Sequence, residues 1–403
     1  MKTNDQLLKE FRIVLEAVGY DISSREYEKL VFTNKPSRAT LEKRFGKTLV
    51  ELKEMVAGES LEKTIDNKYL VIQNKTLLRQ LEQERNKTKI FVDNCLAEIG
   101  KVSFKPFPVP IAIKTKDNLD FHAMRSDAQV GEKTEAYSVQ GIASYNIDIY
   151  KKRLAKWVER IKTFKEQDKG YLGLNKLVIH HLGDQVEGEG IFKGQSFYLD
   201  ASLLNQLFIS VEQEASALIS LAQDFTEIEV YTVDGNHGRP AGKGENHHDT
   251  NFDRIFYLCL KKWCEQQPNI KIYVSESPTM LVQHGDFIFA LNHSDSCKSW
   301  NGIPFYGLER MVRRLPDLYG MLVHYYLGGH HHQSANITDK IIMNGCFPGG
   351  SDLAINRMAI NSVPSQKIFY FHPRKGINRE TNIYLDEPVK LKADSNGIFT
   401  SWK

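Results

Sequence analysis

A chain of 403 residues exceeds what one small core needs, so one large or two unequal domains are expected. A hydrophobic fraction of 41% with 10% aromatics excludes a disordered chain, and 53 basic against 50 acidic residues leave a formal charge of only +3. That balance neither demands nor excludes a polyanionic partner; any nucleic-acid footprint would have to be a local patch.

In chain order, Leu7, Leu8, Phe11, Val14, Leu15 and Val18 recur at helical spacing before a stop at Gly19. This stretch mixes charge with apolar residues too evenly for a signal peptide. Ser23 and Glu26 form a capping-box pattern ahead of Tyr27, Leu30 and Val31. Leu41 and Phe45 mark a short helix before Gly46, and Leu49, Leu52, Met55 and Val56 mark a fourth. Residues 1–58 thus read as a small all-α module. Within it, the Ser-Arg-Glu-Tyr start, the Pro-Ser before a short helix and the Arg-Phe-Gly turn resemble helical repeats found beside homing endonucleases. The resemblance implies a DNA grip, in which Lys35, Arg38, Lys43, Arg44 and Lys47 meet phosphates; an ordinary solvated face is the alternative, because acids are interspersed.

Residues 59–104 are polar and helix-favouring, with Leu70, Leu77, Leu78 and Leu81 as scattered apolar anchors and no sustained heptad. A helical connector is expected there, ending at "SFKPFPVP", whose prolines mark a domain boundary. Residues 105–403 form the remaining domain. Its rhythm is that of strands ("DFHAMRS", "KLVIHHL", "IEVYTV", "FIFALN" and "LVHYYLG") separated by amphipathic helices around Trp157, Leu207 and Phe256. The alternation argues for an α/β fold with an interior sheet. No apolar run approaches a membrane span, and five cysteines without a CxxC pair fit a reducing, cytoplasmic setting.

A polar cluster follows each of those five strands: "SDAQ", "GDQVEG", "DGNHGR", "NHSDS" and "GGHHHQS". Ligands bind beyond the carboxyl ends of strands in α/β sheets, so five clusters can converge on one crevice. They offer Asp127, Gln129, Asp184, Asn236, His293, His330 and His332, the carboxylate, amide and imidazole donors that hard or borderline divalent cations favour. His330 and His332 point the same way if their turn is extended.

The motif order Asp-x-(His), Gly-Asp, Gly-Asn-His, His, Gly-His-x-His resembles that of the calcineurin-like metallophosphoesterases. "GDQVEGEGIFKGQ", "GNHGR" and "IIMNGCFPGG" are similar to a phage-type subgroup suspected of nuclease activity. The resemblance implies a β-sandwich flanked by helices and two divalent cations, manganese first and magnesium as the second choice. Asp127, Gln129 and His332 would hold the first, Asn236, His293 and His330 the second, and Asp184 both. His237 would face the scissile phosphate as proton donor, and Arg239 would bind substrate with a bidentate fork. Two cations about 3.5–4 Å apart clamp phosphoryl oxygens and activate water.

Two positions depart from the family pattern. Gln129 replaces a histidine, which implies a looser first site favouring manganese or magnesium over zinc, or a crippled one. Gly238 and Arg239 stand where an acid usually orients the histidine, leaving Asp253 and Glu245 as distant candidates. His180, His181 and His284 read as partly buried or surface side chains, with a place near substrate as the alternative for His181; His247 and His248 read as exposed. The resulting function is a two-metal DNA nuclease. A phosphodiesterase for small nucleotides, a phosphoprotein phosphatase and a non-catalytic DNA-binding scaffold are the alternatives. By analogy with repair nucleases, a partner ATPase would fit.

Overall fold

The computed structural model describes residues 2–19, 22–30, 35–115, 118–242, 248–297, 304–387, 392–393, 397 and 399–400. Val31, Glu245, His247 and the side chain of Leu70 lie outside them. The chain divides into two compact units, Met1–Ile90 and Phe91–Lys403.

The first unit is helical. α1 (Asn4–Val18) starts at a Thr3–Gln6 capping box and stops at Gly19, where a φ of 95° ends the helix. α2 (Ser24–Lys29) uses the Ser23–Glu26 box, and α3 (Arg38–Phe45) is capped by Ser37 and closed by left-handed Gly46. These helices, with the first turns of α4 (Leu49–Ile99), enclose a core of Leu7, Phe11, Val14, Leu15, Tyr27, Leu41, Leu49, Leu52 and Val56. The buried Tyr27 hydroxyl donates to the Pro36 carbonyl at 2.9 Å. Leu77, Leu78 and Leu81, expected as anchors, are instead exposed; they share their turns of α4 with charged Lys75, Arg79, Glu82 and Glu84.

The second unit is a mixed α/β body with two sheets. Its strands are β1 (Leu119–Arg125), β2 (Gly173–His181), β3 (Glu227–Thr232), β4 (Ile270–Val274), β5 (Thr279–His284), β6 (Phe287–Asn292), β7 (Tyr325–Gly328), β8 (Ala335–Asn336), β9 (Ile341–Met343), β10 (Ser365–His372) and β11 (Gly376–Tyr384). A short pair, β12 (Lys392–Ala393) and β13 (Phe399–Thr400), stands apart. The larger sheet runs β11-β10-β1-β2-β3-β4 and the smaller runs β5-β6-β7-β9-β8. In the first, β1 to β4 are mutually parallel; in the second, β6, β7 and β9 are.

Period-two patterning sorts the side chains into layers. Phe121, Ala123, Leu177, Ile179, Ile228 and Val230 turn outward onto α5 (Ile147–Leu172), α6 (Leu203–Leu221) and α7 (Phe252–Cys264), where Trp157, Leu207 and Phe256 complete the main core. Met124, Leu182 and Val233 turn inward and meet Val282, Phe289, Leu291 and Leu327 of the smaller sheet. The other face of that sheet is covered by α8 (Pro304–Val312) and α9 (Leu315–Tyr319) through Leu308 and Leu315. The last helix, α10 (Asp352–Met358), is capped by Ser351. The layers are therefore helix, sheet, sheet, helix. Among the described residues, no helix is long and apolar enough to cross a membrane.

Trp157 is the largest fully buried side chain among the described residues. Trp157→Ala should cost about 3–5 kcal/mol in urea unfolding, the range for truncating a large core aromatic. A loss under about 1 kcal/mol would show that α5 does not anchor the sheet.

Candidate metal centre

The carboxyl ends of β1, β2, β3, β6 and β7 lead directly into Asp127, Asp184, Asn236, His293 and His330. The loops are drawn together by backbone bonds: Asp127 N–H donates to the Gly183 carbonyl at 3.0 Å and Gln129 N–H to the Asp184 carbonyl at 3.0 Å. Gly183 and Gly235 permit the closest approach. A β-carbon on Gly183 would sit 2.5 Å from the Gly235 nitrogen, and one on Gly235 would sit 2.1 Å from an Asp184 carboxylate oxygen. Side chains are excluded there on sterics alone.

The backbone of the site is strained. Of nine non-glycine residues with positive φ among those described, five are Asp127, Gln129, Asp184, His330 and His332. Each such conformation costs of order 1 kcal/mol or more, and persists where surrounding structure over-determines it, as at ligand clamps. The extended turn expected for His330 and His332 is thereby corrected: both are left-handed, with φ of 73° and 57°, and they approach different partners.

His330 lies with Asp184 and His293, one donor atom of each within 4.8 Å of the others. His332 sits beside Asp127, its Nε2 3.4 Å from the carboxylate, and 3.3 Å from Gln129 Nε2. The Asp127 carboxylate also accepts the His330 N–H at 3.1 Å on both oxygens. Asn236 Oδ1 is 3.1 Å from His293 Nε2, and Arg239 Nε donates to the Asn236 carbonyl at 2.8 Å, which turns the arginine onto its own loop.

The electrostatics favour a cation. His293 Nδ1 donates to the Leu182 carbonyl at 2.7 Å, so in the neutral ring Nε2 carries the lone pair. That lone pair faces the Asp184 Oδ2 at 3.0 Å and the Asn236 amide oxygen, acceptor against acceptor. Only a proton or a metal ion relieves this. Without a metal the proton is held: burial opposes the charge, but Asp184 outweighs it and raises His293 to about 9. Gln129 Oε1 is buried without a hydrogen bond, as an orphaned oxygen awaiting a cation would be. Burial and His293 push His330 down to about 3, leaving a neutral imidazole able to ligate. The donor set, of carboxylates, amide oxygens and imidazoles, fits a divalent ion of hard or borderline character.

His237 stands at the edge of this cage, with Nε2 4.0 Å from Asp184 Oδ2 and 3.5 Å from Gln129 Nε2. Among the described residues its partner is not Asp253 but Glu187, whose backbone carbonyl and carboxylate each lie 3.0 Å from Nδ1. Gln195 fixes that carboxylate by donating to Glu187 Oε1 at 2.9 Å. Burial lowers the basicity of His237, yet Glu187 and Asp184 prevail and raise it to about 10. Glu187 stands in the quoted "GDQVEG", three residues beyond Asp184, and the turn brings it back.

Asp253, at the start of α7, has a different task. It accepts N–H donors from Asp184 at 2.7 Å, Gln185 at 3.0 Å, Val186 at 3.3 Å and Gly235 at 2.9 Å. One carboxylate thus ties the loop after β2 to the loop after β3. Burial and the neighbouring Asp184 push it up to about 7 against those donors.

Four other histidines are placed differently from expectation. His180, His181 and His284 are all buried, and the His181 ring lies 3.2 Å from the Tyr257 hydroxyl, within hydrogen-bonding distance. His248 is half-buried and pairs with Asp234 at 2.7 Å.

Asp253→Asn keeps the shape but turns an acceptor into a donor against backbone N–H groups. It should destabilise by about 2 kcal/mol or more in thermal unfolding and weaken manganese binding about tenfold or more by calorimetry. Unchanged affinity would show that the clamp does not set the cage.

No protein-family model matches the chain. No curated protein matches it either. Among solved structures it is similar to Vps29 from Entamoeba histolytica, complexed with Zn2+, at 13% identity and a TM-score of 0.26, covering 66% of this chain and 99% of that one. It is also similar to Vps29 from Chaetomium thermophilum at 10% identity and a TM-score of 0.25, covering 66% and 96%.

Proposed function

We propose that this chain is a metal-dependent phosphodiesterase of the calcineurin-like fold, acting on DNA. The observation that supports it most is the juxtaposition of an acceptor-rich cage, Asp127, Asp184, Asn236, His293, His330 and His332, with the carboxylate-held His237 at its rim. Asp127 and His332 with Gln129 would hold one divalent cation, Asn236, His293 and His330 the other, and Asp184 both. When bound, such ions supply Lewis-acid charge at the phosphoryl oxygens and acidify water. Manganese or magnesium suits the amide oxygen of Gln129.

The protein's own groups carry the proton. In hydrolysis, a water oxygen bonds to phosphorus and the bond to the leaving oxygen breaks, so that oxygen needs a proton. His237 is kept protonated by Glu187 and Asp184 and oriented through Nδ1, which leaves Nε2 toward the cage as donor. Glu187 positions and charges the ring without touching substrate.

The helical first unit is proposed as the DNA grip. Lys35 is engaged within the unit, donating to the Tyr27 carbonyl at 2.7 Å, and Arg38 pairs with Glu42 at 2.9 Å. Lys43 and Lys47 are exposed and are the better candidates for phosphates.

End-labelled single- and double-stranded DNA, incubated with manganese, magnesium or chelator, tests the reading. Cleavage with manganese that vanishes with chelator and in Asp184→Ala is expected; if only Gln129→His cuts, the natural first site is crippled. Hydrolysis of a small chromogenic diester without any DNA cleavage would favour a small-nucleotide enzyme. His237→Ala should still bind manganese yet lose about 100-fold or more in turnover. In the full chain, Lys43→Ala/Lys47→Ala should flatten the salt dependence of DNA binding by about one unit for each phosphate left without its lysine, while sparing the small diester. Equal loss of both activities would remove the first unit from DNA grip.

A further inference from the structure

A second group of histidines lies away from the strand ends, inside the layer between the two sheets. His122 on β1 and His180 on β2 face inward from the larger sheet, and His284 ends β5, the edge strand of the smaller one. One ring nitrogen from each lies within 4.8 Å of the others. All three are buried, at 0%, 0% and 6% exposure. Their surroundings are aromatic: Phe289 stacks on His122 and on His180, with Phe369 and Phe371 alongside.

As a purely structural cluster this arrangement is poor. His122 Nδ1 and His180 Nε2 share one hydrogen bond of 2.9 Å. His122 Nε2, His180 Nδ1 and His284 Nε2 are buried with no hydrogen-bond partner. Phenylalanine or leucine at these positions would fill the layer without stranding polar nitrogens, each of which costs about 1–3 kcal/mol. Buried unsatisfied groups in such numbers call for a ligand. Tyr231, whose ring stacks on His180, does not serve them: its hydroxyl goes to Glu229 at 2.9 Å. Burial also keeps the rings neutral, His284 at about 4, so each ring keeps one lone pair at physiological pH, one of them engaged in the His122–His180 hydrogen bond. Glu229 and Lys176, paired at 2.7 Å, act on His284 in opposite directions, and the net charge of the pair is zero.

We propose that His122, His180 and His284 form a second metal site, taking one zinc-class cation and fastening the two sheets together. Three imidazoles in an apolar wall select borderline ions such as zinc, cobalt or nickel over magnesium or calcium, which demand oxygen. A cation would stand between His122 Nδ1, His180 Nε2 and a ring nitrogen of His284, taking one lone pair from each ring, while His122 Nε2 and His180 Nδ1 carry the ring protons. Of the three, His284 alone comes from the smaller sheet, so the ion bridges the layers as a disulfide would bridge two strands. This assignment is independent of the phosphodiesterase reading.

The test separates the two centres. The full chain carrying Asp184→Ala/His293→Ala, expressed in zinc-supplemented medium and desalted, should retain about one zinc per chain by elemental analysis. Adding His284→Phe, a ring that suits the aromatic surroundings, should drop zinc to background and lower the melting temperature. No zinc in the folded double variant, or zinc unchanged by His284→Phe, would overturn the proposal. Should His284→Phe fail to fold, cobalt decides: the Asp184→Ala/His293→Ala chain grown with cobalt should show the intense visible bands of low-coordinate, nitrogen-bound cobalt(II), and a colourless protein would sink the site.

Discussion

The candidate centre depends on one buried carboxylate that touches no substrate. Asp253 receives four backbone N–H groups, three from the loop after β2 and one from the loop after β3. Those loops are pressed so close that neither Gly183 nor Gly235 could carry a side chain. A charge-assisted hydrogen bond contributes about 1.5–3 kcal/mol, and several together can offset the left-handed conformations of Asp127, Gln129, Asp184, His330 and His332. The strain is local and the compensation is not: it comes from the first turn of α7, a helix whose other residues belong to the core. Rigidity of the cage is therefore inherited from the packing of Ile255, Phe256 and Leu260 beneath it.

The same clamp explains the electrostatics. With the loops fixed, Asp184 cannot turn away from His293, nor His293 from Asn236, since Nδ1 is anchored on the Leu182 carbonyl. Acceptors are held facing one another in a buried space, so positive charge must be recruited. His237 answers to the same field but is set apart by Glu187, which claims its Nδ1. The far nitrogens of the two imidazoles thus have different surroundings: the Leu182 carbonyl alone for His293, the carbonyl and the carboxylate of Glu187 for His237.

How much of this the sequence discloses varies with the range of the cause. Caps are local, and Ser23–Glu26, Gly19 and Gly46 behave as the sequence pattern indicates. The five strands that precede the polar clusters are likewise readable, since a buried parallel strand leaves an unbroken apolar run. β10 and β11 are not among the strands marked by a following polar cluster: β11 is polar from Asn378 to Asn382 and forms the edge of the sheet, and the two pair antiparallel. Within the site, residue types announce themselves by composition, but partners do not. Glu187 reaches His237 only because the loop after β2 doubles back, and Gln195, eight residues further on, locks it. Asp253 reads as an ordinary helix-start acid, and its four donors come from segments about 20 to 70 residues away.

With the two proposed metal sites, one scaffold would sort metals by depth. At the strand ends, imidazoles mingle with carboxylate and amide oxygens, and half-buried His237 and His332 keep the cage open to substrate. Such a mixture tolerates hard ions and exchangeable ligands, which catalysis needs. Further back along the same strands, the inward positions of β1 and β2 carry His122 and His180, walled by phenylalanine and beyond the reach of water. An ion there would meet three imidazole nitrogens and, behind the phenylalanine wall, no incoming substrate. Selectivity then follows from the pleat: shifting a histidine from the end of a strand into its interior changes its neighbours from oxygen to carbon, and with them the metal and the task.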